Sequence, residues 1–248
     1  MVGMLSDIGN YRTLNEDYVG YYKIDDVAIY VIADGMGGHN AGEVASKMAV
    51  DTVIDYFKNL SHLGNIKDEI VKVIENANEK IFNMSNKDKK LEGMGTTITA
   101  CLIKNNEAIV ANVGDSSCYI LDNNNQLKKI TKDHSLVQQL LDNGSITEEE
   151  ALYHPNKNII TRALGTNSIV KIDTFSLNLN DIRKVILCTD GLTNDVNPKE
   201  MYDIIINNNN KDSCKFLIDL AKKNGGRDNI SVIVFEGECK HDRYITGE

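Results

Sequence analysis

Short apolar segments joined by tight polar turns constrain the fold of this chain more than any other feature. Residues 17–24, 27–33, 96–103, 108–113, 118–121, 127–131, 170–177, 185–189 and 230–235 are rich in β-branched, aromatic and small apolar side chains, the composition of strands. Several neighbours are separated only by Asp25-Asp26, Asn105-Asn106 or Asn123-Asn124-Asn125, which suit antiparallel hairpins. Helical periodicity falls in blocks between the hairpins. Ala45, Ala49, Val53, Tyr56 and Phe57 recur after Asn40 and Glu43, and Ile66, Ile70, Val73, Ile74, Ala77 and Ile81 repeat the pattern. Ser135 with Gln138, Thr147 with Glu150, and Asn197-Pro198 read as helix starts, while residues 214–223 read as a helix ending at Gly225-Gly226. Residues 145–152 are also expected to be helical. The runs Asn123-Asn124-Asn125 and Asn207-Asn208-Asn209-Asn210 read as turns. Helices in blocks rather than after every strand predict an α+β fold with antiparallel sheets, not a doubly wound one.

Aspartates mark the ends of these segments. Asp34 closes Val31-Ile32-Ala33, Asp115 follows Asn112-Val113-Gly114, Asp190 follows Ile186-Leu187-Cys188-Thr189, and Asp228 precedes Ile230. A single Asp-Gly is most often a plain turn. Four such placements on rigid apolar strands are a different matter, because converging carboxylates repel unless cations lie among them. Oxygen-rich sites suit hard ions such as Mg²⁺ or Mn²⁺, and nothing in the spacing of Cys and His suggests structural zinc.

Two further segments carry chemistry. Asp34-Gly35-Met36-Gly37-Gly38-His39-Asn40 is a glycine-rich turn from strand into helix. It lacks the lysine and spacing of a phosphate-binding loop, and its glycines equally suit presentation of the Gly35 carbonyl to a metal. In Arg12-Thr13-Leu14-Asn15-Glu16-Asp17, the guanidinium offers a planar fork for phosphate oxygens; a solvated ion pair is the plainer reading.

The balance of charge and cysteine narrows the class. With 36 acidic against 27 basic residues, the net charge is −9, which argues against nucleic acid as partner. The longest apolar run, residues 27–33, falls far short of the ~20 residues that span a bilayer. The start of the chain has neither the basic nor the apolar character of a signal peptide. Cys101, Cys118, Cys188, Cys214 and Cys239 are odd in number and scattered, so reduced, buried thiols are expected. A cytoplasmic monomer is the expectation, organised as a single domain over residues 1–248.

Taken in order, the motifs resemble the PPM family, the metal-dependent type 2C protein Ser/Thr phosphatases, in their compact bacterial form. The matching stretches are Ser6-Asp7-Ile8-Gly9 with Arg12 and Asn15-Glu16-Asp17, then Ala33-Asp34-Gly35-Met36-Gly37-Gly38-His39. Gly95-Thr96-Thr97, Asn112-Val113-Gly114-Asp115-Ser116 and Asp133-His134-Ser135 follow. Ile160-Thr161-Arg162-Ala163-Leu164-Gly165, Thr189-Asp190-Gly191-Leu192 and Gly225-Gly226-Arg227-Asp228-Asn229-Ile230-Ser231 complete the set, which spans about residues 5–235.

The resemblance implies two stacked antiparallel sheets with helices on both outer faces, and a site at one end of the sandwich. It implies that Asp34, Asp190 and Asp228 ligate one Mn²⁺ or Mg²⁺, and that Asp34 and the Gly35 carbonyl hold a second. A bridging water or hydroxide would attack phosphorus. Asp115 with Asp190 would hold a third ion more weakly, Glu16 and Asp17 would organise metal-bound water, and Arg12 would bind phosphate. Larger members carry a His directly after the Asp-Gly pair; Met36 stands there, and His39 is the bacterial counterpart as proton donor. Ser117 replaces an Arg common in bacterial relatives. Residues 132–165 form the family's flap, within which Arg162 is expected to serve as an ion-pair partner. Phosphorylated proteins are the implied substrates, opposite a bacterial Ser/Thr kinase. Two rival readings are a pseudophosphatase that binds phosphoproteins without chemistry, and a nucleotide-binding enzyme.

Overall fold

The computed structural model describes residues 2–37 and 41–236. Two antiparallel sheets stack on one another. The first has the order β1 (Gly3–Asp7), β11 (Ile230–Glu236), β10 (Ile182–Cys188), β7 (Ser117–Asp122), β8 (Leu127–Lys129). The second runs β2 (Asp17–Ile24), β3 (Val27–Met36), β5 (Ile98–Lys104), β6 (Glu107–Val113), β9 (Asp173–Asn178), with β4 (Gly95–Thr96) added beside β3. Helices α1 (Ala41–Asn59) and α2 (Ile66–Lys87) cover the second sheet. Helices α6 (Pro198–Asn207) and α7 (Asn210–Asn224) cover the first. The α+β sandwich expected from the sequence is the observed architecture.

Strand β3 shows why its sequence is apolar without a break. Ala28, Tyr30 and Ile32 face the layer between the sheets, while Ile29, Val31 and Ala33 face α1 and α2. A strand covered on both sides has no polar alternation to display. Ile32 is fully buried, so its truncation to Ala would cost about 2–5 kcal/mol. Between the sheets Tyr30 stacks on Phe235, with ring centroids 3.7 Å apart. The hairpin turns work as expected, with Asp25, Asn105 and Asn125 in the left-handed region at φ 48°, 55° and 60°, where Asn and Asp are tolerated best among side-chain-bearing residues.

Several boundaries differ from the sequence reading. Strand β3 does not stop at Ala33; pairing with β4 carries it through Asp34 to Met36. Residues 96–103 are two strands, not one, because Thr97 breaks the ladder to bond Asp34. Helix α4 (Glu148–Leu152) begins three residues after residue 145, at the Thr147–Glu150 capping box that read as a helix start in the sequence. Strand β9 starts at Asp173 rather than residue 170, and β8 ends at Lys129 rather than 131. Only Asn208 and Asn209 lie outside helix in the asparagine run, since Asn209 caps α7 by accepting from Asp212 N–H. Ser135 caps the short helix α3 (Leu136–Asp142) as expected. The Asn40 cap and Cys239 lie outside the described residues. Cys101, Cys118, Cys188 and Cys214 are all buried.

Candidate active site

Four carboxylates meet at one end of the sandwich, two from each sheet. Asp17 on β2 and Asp34 on β3 are directly opposite in the antiparallel register, where like charges destabilise a sheet. Asp190 opens the helical turn α5 (Asp190–Thr193) just past β10, and Asp228 precedes β11. Burial is the main cause that raises the Asp17 carboxyl to about 7, with the charges of Asp190 and Asp228 adding to it. Burial, then the charges of Asp17, Asp190, Asp115 and Asp228, hold Asp34 well above the ordinary carboxylate range. Asp190 is also raised by burial and by Asp228, and hydrogen bonding with Asp34 opposes the shift.

The surrounding hydrogen bonds fix the backbone and leave oxygens free. Asp34 N–H donates to Thr97 Oγ1 at 3.0 Å, and its carbonyl accepts from Thr97 N–H at 2.8 Å and Thr96 Oγ1 at 2.9 Å. Thr189 Oγ1 donates to Asp17 Oδ2 at 2.9 Å and accepts from Ser231 N–H at 3.0 Å. Asp17 Oδ1 and Asp115 Oδ1 are buried without any hydrogen-bond partner. Burial, then the charges of Asp190 and Asp133, push Asp115 up to about 8. Unpaired buried carboxylate oxygens are costly, and an oxygen-coordinating divalent ion removes that cost. The donor set therefore fits hard cations.

Close glycine packing sets the depth of the site. A Cβ on Gly35 would lie 2.2 Å from the Gly42 carbonyl oxygen and 2.6 Å from that of Glu16; one on Gly42 would lie 2.4 Å from Glu16 Oε1. Glu16 thus faces the first turn of α1, and its carboxyl is raised chiefly by burial. Arg12 Nη2 lies 2.8 Å from Asp228 Oδ2. That contact is the leading cause that raises the guanidinium above its usual range. Among the described residues no three His, Cys, Asp or Glu side chains close on a single point. Arg12 balances the charge of Asp228.

The structure therefore brings Asp17, Asp34, Asp115, Asp190 and Asp228 into mutual electrostatic contact, with Arg12, Glu16 and Gly35 at the border. His39 lies outside the described residues. Asn229 was legible only as part of a motif, yet it ties the loop: its Nδ2 donates to Ile8 O and Leu14 O, and its Oδ1 accepts from Glu16 N–H at 2.8 Å. Thr97 and Thr189 have no signal of this role in the sequence. A cleft of about 990 Å³ runs between α1 and α2, lined in part by Met48, Met84 and Leu91. It holds none of the five aspartates.

A family profile described as protein phosphatase 2C matches residues 11–224. The chain belongs to the protein phosphatase 2C family. Among type 2C relatives, it is 41% identical over 236 residues to the serine/threonine phosphatase stp of Listeria welshimeri, covering 93% of each chain. It is 36% identical to the protein phosphatase PhpP of Streptococcus pneumoniae over 241 residues, covering 93% of this chain and 95% of the relative. The crystal structure of the serine/threonine phosphatase Stp1 from Staphylococcus aureus superposes with a TM-score of 0.89 at 34% identity, covering 94% of this chain and 93% of the other. The catalytic domain of the type 2C phosphatase PstP, solved with two manganese ions, superposes with a TM-score of 0.82 at 33% identity, covering 94% and 96%.

Proposed function

We propose that this chain is a metal-dependent protein serine/threonine phosphatase that removes phosphate from phosphoserine and phosphothreonine in proteins. The observation that carries the reading is the group of buried carboxylates whose mutual repulsion and orphaned oxygens call for divalent cations. Membership of the type 2C family and the names of the relatives support it, as does the pair of manganese ions in PstP. A purely phosphoprotein-binding role is not favoured.

Asp34, Asp190 and Asp228 would hold one Mn²⁺ or Mg²⁺, and Asp34 with the Gly35 carbonyl a second. Asp115 with Asp190 would hold a third more weakly. When bound, such ions acidify water and neutralise phosphoryl charge. Arg12 swings its fork from Asp228 to two phosphoryl oxygens and orients the ester for in-line attack. Asp17 and Glu16 accept hydrogen bonds from water and so orient the attacking lone pair. His39 is the candidate donor of the proton that the leaving serine or threonine alkoxide needs. No side-chain nucleophile is required, consistent with the burial of Cys101, Cys118, Cys188 and Cys214.

In this reading residues 1–248 act as one catalytic domain and as a monomer in the cytoplasm, opposing a Ser/Thr kinase. No helix among the described residues is long and apolar enough to cross a membrane. The test is turnover of p-nitrophenyl phosphate and of a phosphothreonine peptide with Mn²⁺. Activity abolished by EDTA and restored by Mn²⁺ is expected. No turnover with metal, or turnover indifferent to EDTA, overturns the proposal.

A further inference from the structure

The Asp133-His134-Ser135 segment is a sequence motif that the mechanism above leaves unused. The His134 side chain is buried, and its ring joins two parts of the chain. Nδ1 accepts the Gly114 N–H at 3.0 Å, while Nε2 lies 3.1 Å from Asp173 Oδ2 on β9. Its backbone repeats the attachment: His134 N–H donates to the Gly114 carbonyl at 2.9 Å, and the His134 carbonyl accepts from Thr161 N–H at 2.7 Å.

These contacts assign the tautomer. A ring whose Nδ1 accepts a backbone N–H carries its single proton on Nε2, and that proton points at Asp173. Arg162 Nη1 lies 2.9 Å from Asp173 Oδ1, 3.1 Å from the Lys171 carbonyl and 2.9 Å from His134 Nε2. Arg162 and the ring are thus two donors converging on one carboxylate.

The held residue, Gly114, has no freedom of its own. It sits at φ +113°, and a Cβ there would lie 2.5 Å from Thr97 Cβ. Its carbonyl is also held by Asn112 Nδ2 at 3.2 Å. The next residue is Asp115, whose Oδ1 is buried without a partner. The peptide that carries Asp115 is held at the Gly114 carbonyl by His134 N–H and Asn112 Nδ2, and the His134 ring holds the preceding peptide through the Gly114 N–H, so both peptide planes that set the direction of Asp115 are tied to His134.

We propose that His134 is a positioning residue: oriented by Asp173, its Nδ1 holds the Gly114 N–H and so aims the Asp115 carboxylate into the metal site. The proposal rests on the assignment of Asp115 to that site. Outer partners of a metal ligand commonly change metal affinity by roughly 10–100-fold when removed.

The test compares His134→Ala, His134→Gln and His134→Asn, each checked for native circular dichroism. Asn places an amide oxygen near the position of Nδ1, whereas Gln reaches toward Nε2. Gly114 amide exchange in EDTA reads the hydrogen bond without any activity. It is expected to accelerate about tenfold in His134→Ala and His134→Gln, the loss of one net hydrogen bond, and to stay within about twofold of wild type in His134→Asn. The Mn²⁺ concentration for half-maximal turnover should rise roughly tenfold or more in Ala and Gln and recover in Asn, with KM for p-nitrophenyl phosphate little changed. Long-range ¹H–¹⁵N spectra of the wild type should show the Nε2–H tautomer. An Nδ1–H tautomer, or unaltered Gly114 exchange in folded Ala and Gln variants, overturns the proposal. If Ala does not fold, the contrast between Gln and Asn decides. Absence of Mn²⁺-dependent turnover in the wild type would sink the phosphatase reading instead, while Gly114 exchange still decides the role of His134.

Discussion

Asp34 concentrates the conflict of this site in one residue. Its backbone is pinned on both sides by Thr96 and Thr97, while its carboxyl is forced toward the protonated form by burial and by surrounding aspartates. Replacing Asp34 by Asn should therefore move two measurements in opposite directions. Turnover with Mn²⁺ should fall by on the order of 10²–10³-fold or more, as when one group that meets transition-state charge is lost. The melting temperature in EDTA at pH 8 should rise by roughly 2–4 °C, the effect of about 1 kcal/mol on a chain of this size. An active variant, or one destabilised in EDTA, would refute the assignment. Asp34 could be picked out in the sequence because an apolar run led into it. Its supports could not: Thr97 is 63 residues away along the chain, and Thr189 meets Asp17 across 172. Such contacts exist only once the strands have paired, so no local pattern records them.

At the scale of elements, α1 is seated by absence of side chain. Gly35 and Gly42 approach until no Cβ fits between strand and helix, and Glu16 fills the remaining gap. Gly42→Ala should drive α1 outward, costing about 1–3 kcal/mol by overpacking. It should also lower turnover more than a substitution of equal cost on the far end of α1, such as one at Phe57. Equal turnover in the two variants would show that the seating of α1 is irrelevant to the site. The glycine-rich turn was visible in the sequence, but whether its glycines served a ligand or a helix was not. The same limit explains the missed β1: Gly3–Asp7 has only two large apolar residues and becomes a strand because β11 offers it an edge. Helix α5 escaped for a different reason, since four residues cannot display a helical period.

For the molecule as a whole, the buried carboxylates set a pH dependence that metal should largely remove. Asp17 titrates at about 7 and Asp115 at about 8 in the metal-free fold, against about 3.9 for an unperturbed Asp. A raised carboxyl pKa means that the folded state binds more protons than the unfolded one between those values. Stability therefore rises as pH falls from about 8 toward 5 and is lowest above 8. His134, lowered chiefly by burial, acts in the other direction, withdrawing stability as pH falls below about 6.5. Melting curves in EDTA should thus climb as pH is lowered from 9 to about 6.5. Mn²⁺ at a hundredfold excess over its Kd should add about 2.7 kcal/mol, and most of the pH trend should vanish with it. Curves flat in EDTA across this window would contradict the carboxylate assignment.

The layered fold also settles what oxidants can reach. Burial pushes the thiols of Cys188 and Cys214 up to about 12, and Cys118 is raised by burial as well. A thiol held up in this way is protonated at pH 7, and peroxide attacks the thiolate. Cys188 stands only two residues from Asp190, yet it faces the core rather than the substrate. Peroxide that silences enzymes with a cysteine nucleophile should therefore spare Cys118, Cys188 and Cys214, and turnover by this chain is expected to outlast theirs.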